Sequence, residues 1–507
     1  MPHHNPIKRR EFIRRAGAAA AAAPVLGRAI ARAEAAGEAA PARADARPNI
    51  LFVLGDDWGW PSAGALGDKV VRTPTFDRVA REGVLFPQAY CASPSCSPSR
   101  ASILTGQMFW RLGEGANLWS TLPKKFDVYT DQLGAAGYRV GAMRKGWGPG
   151  SVEAGGRTQN AAGPASRTFE AFLKSVPEGR PFCFWFGSHD PHRPYDPLSG
   201  AKSGLRAEDV RVPPFLPDAP EVRNDILDYY FECERCDREA GEMLKLLEAA
   251  GKLENTLVVV TGDNGMPFPR CKTNLYDSGA RQPLAVRWGA KVKGGRTVDD
   301  FVSLEDLAPT FLEAAGLKPP PAMTARSFLD VLLSEKSGRV DPRRDRVVTG
   351  RERHHGGARP GCLGYPTRAL RTYDFLYIRN FLPDRWPAGD PPGYEDCDAG
   401  PTKSYMLAHR DDPKVAPLFE LSFGMRPGEE LYDLKKDPDQ LKNVAADPAC
   451  ADAKKRMAGD LAKILTEMKD PRVIGGGEEF DKYPYRGPAA DMKKKAVTER
   501  HSDGVTE

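Results

Sequence analysis

The stretch NILFVLGDD, residues 49–57, decides the fold. Ile50 to Leu54 are all apolar, so the segment has no polar face. A strand of that kind is covered on both sides, which is the habit of parallel sheets flanked by helices. It stops at Gly55 and then presents two carboxylates, Asp56 and Asp57. TLVVVTGDNG (256–265) has the same form, an apolar run followed by Asp263 and Asn264. PFCFWFGSHDPH (181–192) is a third strand of this type, aromatic in its body and ending in His189 and His192. Between these runs lie amphipathic patterns such as TPTFDRVAREG (73–83), FDVYTDQLGAAG (126–137) and the long segment 225–253. The alternation predicts an α/β fold, a mixed, mostly parallel sheet sandwiched by helices, over residues 48–345. Ligands of such sheets gather beyond the carboxyl ends of the strands. Asp56, Asp57, His189, His192, Asp263 and Asn264 can therefore meet on one rim although they span more than 200 positions.

After about residue 345 the pattern changes. RALRTYDFLYIRNF (368–381) reads as two short strands, EELYD (429–433) as another, and ADAKKRMAGDLAKILTEMK (451–469) as an amphipathic helix. A smaller C-terminal α+β domain is expected over 346–475, with a loosely ordered, charged extension over 476–507. At the other end, KRREFIRRAG, an alanine-rich run and small-x-small sites near Ala31 and Ala33 follow the order of a twin-arginine export signal over 1–33. An Ala/Pro-rich linker follows over 34–47. The expected location is the periplasm or the exterior, reached through the twin-arginine machinery, and no later apolar run is long enough for a membrane anchor.

The formal charge of +5 is concentrated in that leader, which holds seven basic side chains and one acidic one, so the remainder is near neutral. A nucleic-acid partner is not expected, because counterion release needs a basic surface. Of the nine cysteines, Cys233 and Cys236 form a CxxC. They lie on an apolar helical stripe with Ile226, Tyr229, Ala240, Leu244 and Leu247, and read as core.

One member of a different pair carries chemistry. In CASPSCSPSRASILTGQ (91–107), Cys96 has proline two residues on, Pro98, and arginine four on, Arg100. Cys91 lacks that spacing and reads as structural. Cys96-Ser97-Pro98-Ser99-Arg100, followed by Leu104-Thr105-Gly106, resembles the signature of the type I sulfatases. The resemblance implies an alkaline-phosphatase-like fold and oxidation of Cys96 to Cα-formylglycine by a maturation enzyme. A hydrated aldehyde has two hydroxyls on one carbon. One attacks sulfur, and the other, losing its proton, expels sulfate and restores the aldehyde.

The resemblance also implies a divalent cation, Ca²⁺ or alternatively Mg²⁺, held by Asp56, Asp57, Asp263, Asn264 and the modified Cys96. That oxygen-rich set suits a hard ion. Lys272 falls at the family's sulfate-binding position. His192 matches the Pro-His-x-Pro histidine that is a candidate proton donor to the leaving group. Arg100 is expected to anchor the modified side chain, and Lys145 aligns with the family's Gly-Lys-x-His-x-Gly lysine. Two positions depart from that pattern, Arg144 for the glycine and Trp147 for the histidine. DNGMPFPRCKTNLYDSGARQPL (263–284), HDPHR and RERHHGG resemble the heparan N-sulfatase (sulfamidase) branch. The lysosomal members of that branch carry arginine where this chain has Lys272, and lysine is commoner among O-sulfatases. N–S and O–S cleavage therefore both stand at this point. Arg353, His354 and His355 are candidate contacts to a sulfated oligosaccharide or polysaccharide, or else a solvated charge cluster. The rivals are a phosphate-ester hydrolase of the same fold and a silent binder of sulfated glycans.

Overall fold

The computed structural model describes residues 47–488; the leader and most of the linker lie outside the described residues. A seven-stranded sheet forms the centre. Its strands are β1 (Asn49–Gly55), β2 (Val84–Leu85), β4 (Arg139–Arg144), β5 (Phe182–Gly187), β6 (Thr256–Gly262), β8 (Leu284–Arg287) and β9 (Arg296–Thr297), in the order β4-β5-β1-β6-β8-β2-β9. The block β4-β5-β1-β6 is parallel throughout, whereas β8 runs antiparallel to both of its neighbours. The sheet is thus mixed and mostly parallel, as the apolar runs predict. A small three-stranded ribbon, β3 (Ala89–Tyr90), β7 (Arg281–Gln282) and β10 (Val302–Ser303), lies in the order β10-β3-β7.

Alternation along β1 explains why it has no polar face. Ile50, Phe52 and Leu54 enter one core, with Tyr129 and Leu133 of the helix Tyr129–Ala135 and Phe311 of the helix Leu307–Ala314. Leu51 and Val53 enter the opposite core, with Val222, Ile226 and Leu244 of the helix Pro220–Ala249. Two helical layers therefore remove both faces of the strand from water. Cys233 and Cys236 are fully buried in the second core, as the helical stripe predicts.

The C-terminal sheet is antiparallel, β11 (Arg346–Arg351), β12 (Thr367–Thr372), β13 (Phe375–Asn380) and β14 (Glu429–Asp433) in sequential order. The helix Ala451–Glu467 packs on it through Met457, Leu461 and Leu465. No division separates the two sheets, and the described chain packs as one unit. The segment from 476 departs from the expected loose extension as far as 488. Phe480 is buried against Trp110 and Met457, its carbonyl accepts from Asn117 Nδ2 at 2.8 Å, and Asp481 accepts from the Gly364 N–H at 2.8 Å. A buried aromatic side chain and the hydrogen bonds around it anchor a segment whose composition is otherwise that of a tail. Among the described residues no helix is long and apolar enough to cross a membrane.

Candidate active site

Four neighbouring parallel strands end on one rim, and their register fixes which side chains meet there. Gly55 pairs with Gly262, so the residues that follow, Asp56-Asp57 and Asp263-Asn264, lie side by side. The Asp57 N–H donates to Asp263 Oδ1 at 2.9 Å. Leu54 pairs with Gly187, which brings the loop carrying His189 and His192 to the same edge. Arg144 also pairs with Gly187, so Lys145 begins the adjacent turn. Two of the strand ends must be glycine. A Cβ at Gly262 would lie 1.9 Å from the Trp58 carbonyl oxygen, and one at Gly187 would lie 1.7 Å from that of Lys145.

Cys96 is the first residue of the helix Cys96–Thr105, all ten residues of which are buried. Gly106 ends this helix in the left-handed region at φ 60°, its N–H bonding the Ser102 carbonyl. The sulfur lies 3.4 Å from Asp56 Oδ1 and 3.8 Å from Asp57 Oδ1. Burial pushes the Cys96 thiol up, against the pull of Lys145 and Lys272. Arg100, one turn on, is fully buried. Its Nε donates to Asp263 Oδ2 at 2.7 Å and its Nη1 to the carbonyls of Lys145 and Gly146. It ties the helix to two strand ends at once.

Cations face the carboxylates. Lys145 Nζ is 2.6 and 2.5 Å from the two Asp56 oxygens. Lys272 Nζ is 2.9 Å from Asp57 Oδ2, and His192 Nε2 is 3.9 Å from the same oxygen. His192 Nδ1 lies 2.6 Å from the Arg193 carbonyl. A carbonyl only accepts, so Nδ1 carries the proton and Nε2 faces the site. Burial would raise Asp56, but Lys145, His192 and Arg100 together hold it well below the usual carboxylate range. Asp263 is raised, by burial first, against the attraction of Arg100. Asp56, Asp57 and Asp263 bring oxygens within 4.8 Å of one another. Asn264 Nδ2 donates to Asp57 Oδ1 at 2.7 Å, while its Oδ1 is buried with no hydrogen-bond partner. A buried amide oxygen left unmet beside three carboxylates fits a hard divalent cation.

The remaining sequence candidates divide. His354 is buried, its Nδ1 2.8 Å from Ser95 Oγ, the residue just before Cys96, and burial pushes its pKa down to about 3. His355 is half-buried and its backbone N–H donates to Asp396 Oδ1. Arg353 departs from its reading as a substrate contact. It is 1% exposed, and its guanidinium donates to the carbonyls of Tyr483 and Pro484, fastening the C-terminal segment. His189 is exposed at the rim. Trp147, at the departed histidine position, packs into the core with Phe52 and Leu54, its backbone bracketed by the Asn160 side-chain amide. Asp398, which gave no signal in the sequence, lies 3.3 Å from Lys272 Nζ.

Comparison with known proteins agrees with this geometry. The family model described as "Sulfatase" matches residues 48–156 and 164–317. The chain belongs to the sulfatase family. This sulfatase is 30% identical to human N-sulphoglucosamine sulphohydrolase over 84% of its own length and 92% of that protein's. It is 26% identical to an ulvan-active sulfatase of Formosa agariphila, over 86% and 78% of the two chains. Its fold is that of a solved protein described as bound to its substrate D-glucosamine-2-N,6-O-disulfate, with a TM-score of 0.61 at 19% identity, covering 84% of this chain and 98% of that one. The protein is a hydrolase of the sulfuric-ester class with an alkaline-phosphatase-like architecture.

Proposed function

We propose that this sulfatase removes sulfate groups from a sulfated glycan, in the manner of a heparan N-sulfatase, with Cys96 oxidised to formylglycine and a divalent cation bound by Asp56, Asp57, Asp263 and Asn264. One observation carries the reading. Cys96 opens a helix directly against an acidic cluster with an unmet amide oxygen, while Lys145, Lys272 and His192 stand on the same rim. The aldehyde hydrate, when formed, would supply the nucleophile, and a cation held by these residues, Ca²⁺ by preference, would supply Lewis-acid polarisation.

This chain's own residues then have separable tasks. Arg100 holds Asp263 and the Lys145–Gly146 turn in register, so the nucleophile position is fixed from two strands. Lys145 and Lys272 offer ammonium groups to the sulfate oxygens, where charge builds as the bond breaks. His192, protonated on Nδ1 by its carbonyl contact, needs a second proton on Nε2 to donate to the leaving oxygen or nitrogen. Its Nε2 lies 3.9 Å from Asp57 Oδ2, on the side that faces the site.

Support for an N-sulfate substrate comes from the 30% identical human relative, whose name states that chemistry, and from the PFPRCKTNLYDSG segment around Lys272. Lys272 itself and the ulvan-active relative favour an O-sulfate, which is the second reading. The experiment is direct. Mass spectrometry of protein made in a host with the maturation enzyme is expected to give a Cys96 peptide about 18 Da lighter than the unmodified one. Sulfate release is then compared across N- and O-sulfated disaccharides, with a phosphate monoester as control. Unmodified Cys96, or faster phosphate than sulfate release, would overturn the reading.

A further inference from the structure

We propose that Asp398 is a specificity-determining residue. Its carboxylate accepts a hydrogen bond from a hydroxyl or amino group beside the scissile sulfate, and turns away substrates that carry a second anionic group there. The inference rests on the reading of Lys272 as a sulfate-binding group.

Asp398 belongs to the segment after β13, outside the residues that the family model matches. Its Oδ2 is 3.3 Å from Lys272 Nζ, so Lys272 bridges two carboxylates, Asp57 on the inner side and Asp398 on the outer. Their exposures differ. The side chains of Asp56, Asp57 and Asp263 are 3%, 0% and 0% exposed, whereas that of Asp398 is 27% exposed. Of these four acids, Asp398 is the one that an incoming substrate meets. Burial works against its charge, but the adjacent Lys272 ammonium outweighs it and holds the carboxyl well below the usual carboxylate range. A carboxylate in that state only accepts hydrogen bonds.

The backbone around it is held from several directions. Asp396, two residues earlier, pairs with Arg359 at 2.8 Å and accepts from the His355 N–H at 2.9 Å. Its carbonyl accepts from Thr273 Oγ1, next to Lys272 in the chain. Lys403 Nζ donates to the carbonyls of Tyr394 and Cys397. Gly400 sits so close to Arg193 that a Cβ there would lie 2.5 Å from the guanidinium carbon. Asp398 is thus presented at a fixed place, a few ångströms from where Lys272 would hold a sulfate. A hydroxyl or ammonium on the adjacent sugar carbon gains a charge-assisted hydrogen bond. A second sulfate meets a like charge that cannot retreat, and repulsion of that kind is how a site rejects a near-cognate ligand.

Binding separates this proposal from turnover. Cys96→Ala protein is titrated by calorimetry with inorganic sulfate, with D-glucosamine N-sulfate, and with the same sugar carrying an additional 3-O-sulfate on the adjacent carbon. The monosulfated sugar is expected to bind about tenfold tighter than the disulfated one. Adding Asp398→Asn, which keeps the shape and removes the charge, is expected to abolish that preference by tightening the disulfated sugar, while inorganic sulfate changes less than about threefold. A preference that survives Asp398→Asn would overturn the proposal. So would equal weakening of all three probes, which would make Asp398 only a support for Lys272, or failure of either sugar to bind. An unmodified Cys96 in the wild-type protein, by contrast, overturns the catalytic reading and leaves these binding ratios to stand or fall alone.

Discussion

The floor and the rim of the site are built on different terms. The floor comes from the ends of β1 and β6 and from the helix Cys96–Thr105, and it is almost entirely buried. Each charge there has at least one opposite partner, supplied by the helix, the turn after β4 or the loop after β6. The rim comes from the loops after β5, β11 and β13, is partly exposed, and is held by side chains reaching across the chain. Floor residues are therefore placed by the sheet itself, and the chemistry they imply is common to the family. Rim residues are placed by local contacts that another chain could replace, and on the proposed reading substrate choice is decided there.

The largest effect should come from the floor. Cys96→Ala is expected to lower sulfate release by at least about 1,000-fold with the fold intact by circular dichroism, since the nucleophile is gone. Cys91→Ala, five residues away and equally buried, should stay within about threefold. Equal losses from the two would erase the distinction between them. Lys272→Ala is expected to cost about 100-fold in kcat/KM by removing one stabilising cation. Metal removal sharpens the same contrast. Exhaustive dialysis against a chelator should abolish turnover and lower Tm by several degrees, because a cation that binds only the native state stabilises it. Readdition of Ca²⁺ should restore both.

Support positions should move stability more than chemistry. Arg353→Ala leaves the carbonyls of Tyr483 and Pro484 unmet and is expected to lose about 2 kcal/mol of stability in denaturant titration, with kcat/KM within about threefold. A tenfold fall in kcat/KM would return Arg353 to the substrate-contact role expected from sequence. The smallest effect concerns Glu232, which sits on the helix Pro220–Ala249 and is held with Asp190 of the histidine loop by Arg235. Burial, then the hydrogen bond and charge of Asp190, push Glu232 up to about 8. An acid raised in the native state stabilises fully below its unfolded pKa, and that contribution fades as pH rises through the native value. Wild-type Tm should therefore decline between about pH 5 and pH 8. Glu232→Gln, which mimics the protonated acid, should flatten that slope by a few degrees.

The same division explains how far the sequence could be read. Asp56, Asp57, Asp263 and Asn264 were legible because each pair follows an apolar run, and strand ends of a parallel sheet share an edge. Cys96 was legible because Pro98 and Arg100 single it out from Cys91. Arg353 is not legible as a support, because RERHH reads as a substrate contact or a solvated cluster, whereas its carbonyl bonds the Leu118 N–H and its guanidinium binds the C-terminal segment. Phe480 was overlooked as an anchor because its neighbours are glycine and acid. Asp398 was invisible because EDCDAG has neither period nor strand end. Its meaning comes from Lys272, more than 100 residues away.

The burial of the helix Cys96–Thr105 also sets an order of events. Every residue of that helix is covered, and Cys96 itself is 2% exposed. A maturation enzyme that must grip the chain on both sides of Cys96 has nothing to grip once the sheet has closed over it. Oxidation on the proposed reading therefore belongs to the nascent chain, before β6, about 160 residues downstream, brings Asp263 onto Arg100. The time during which Cys96 can be converted is then the time the ribosome and the folding sheet leave open.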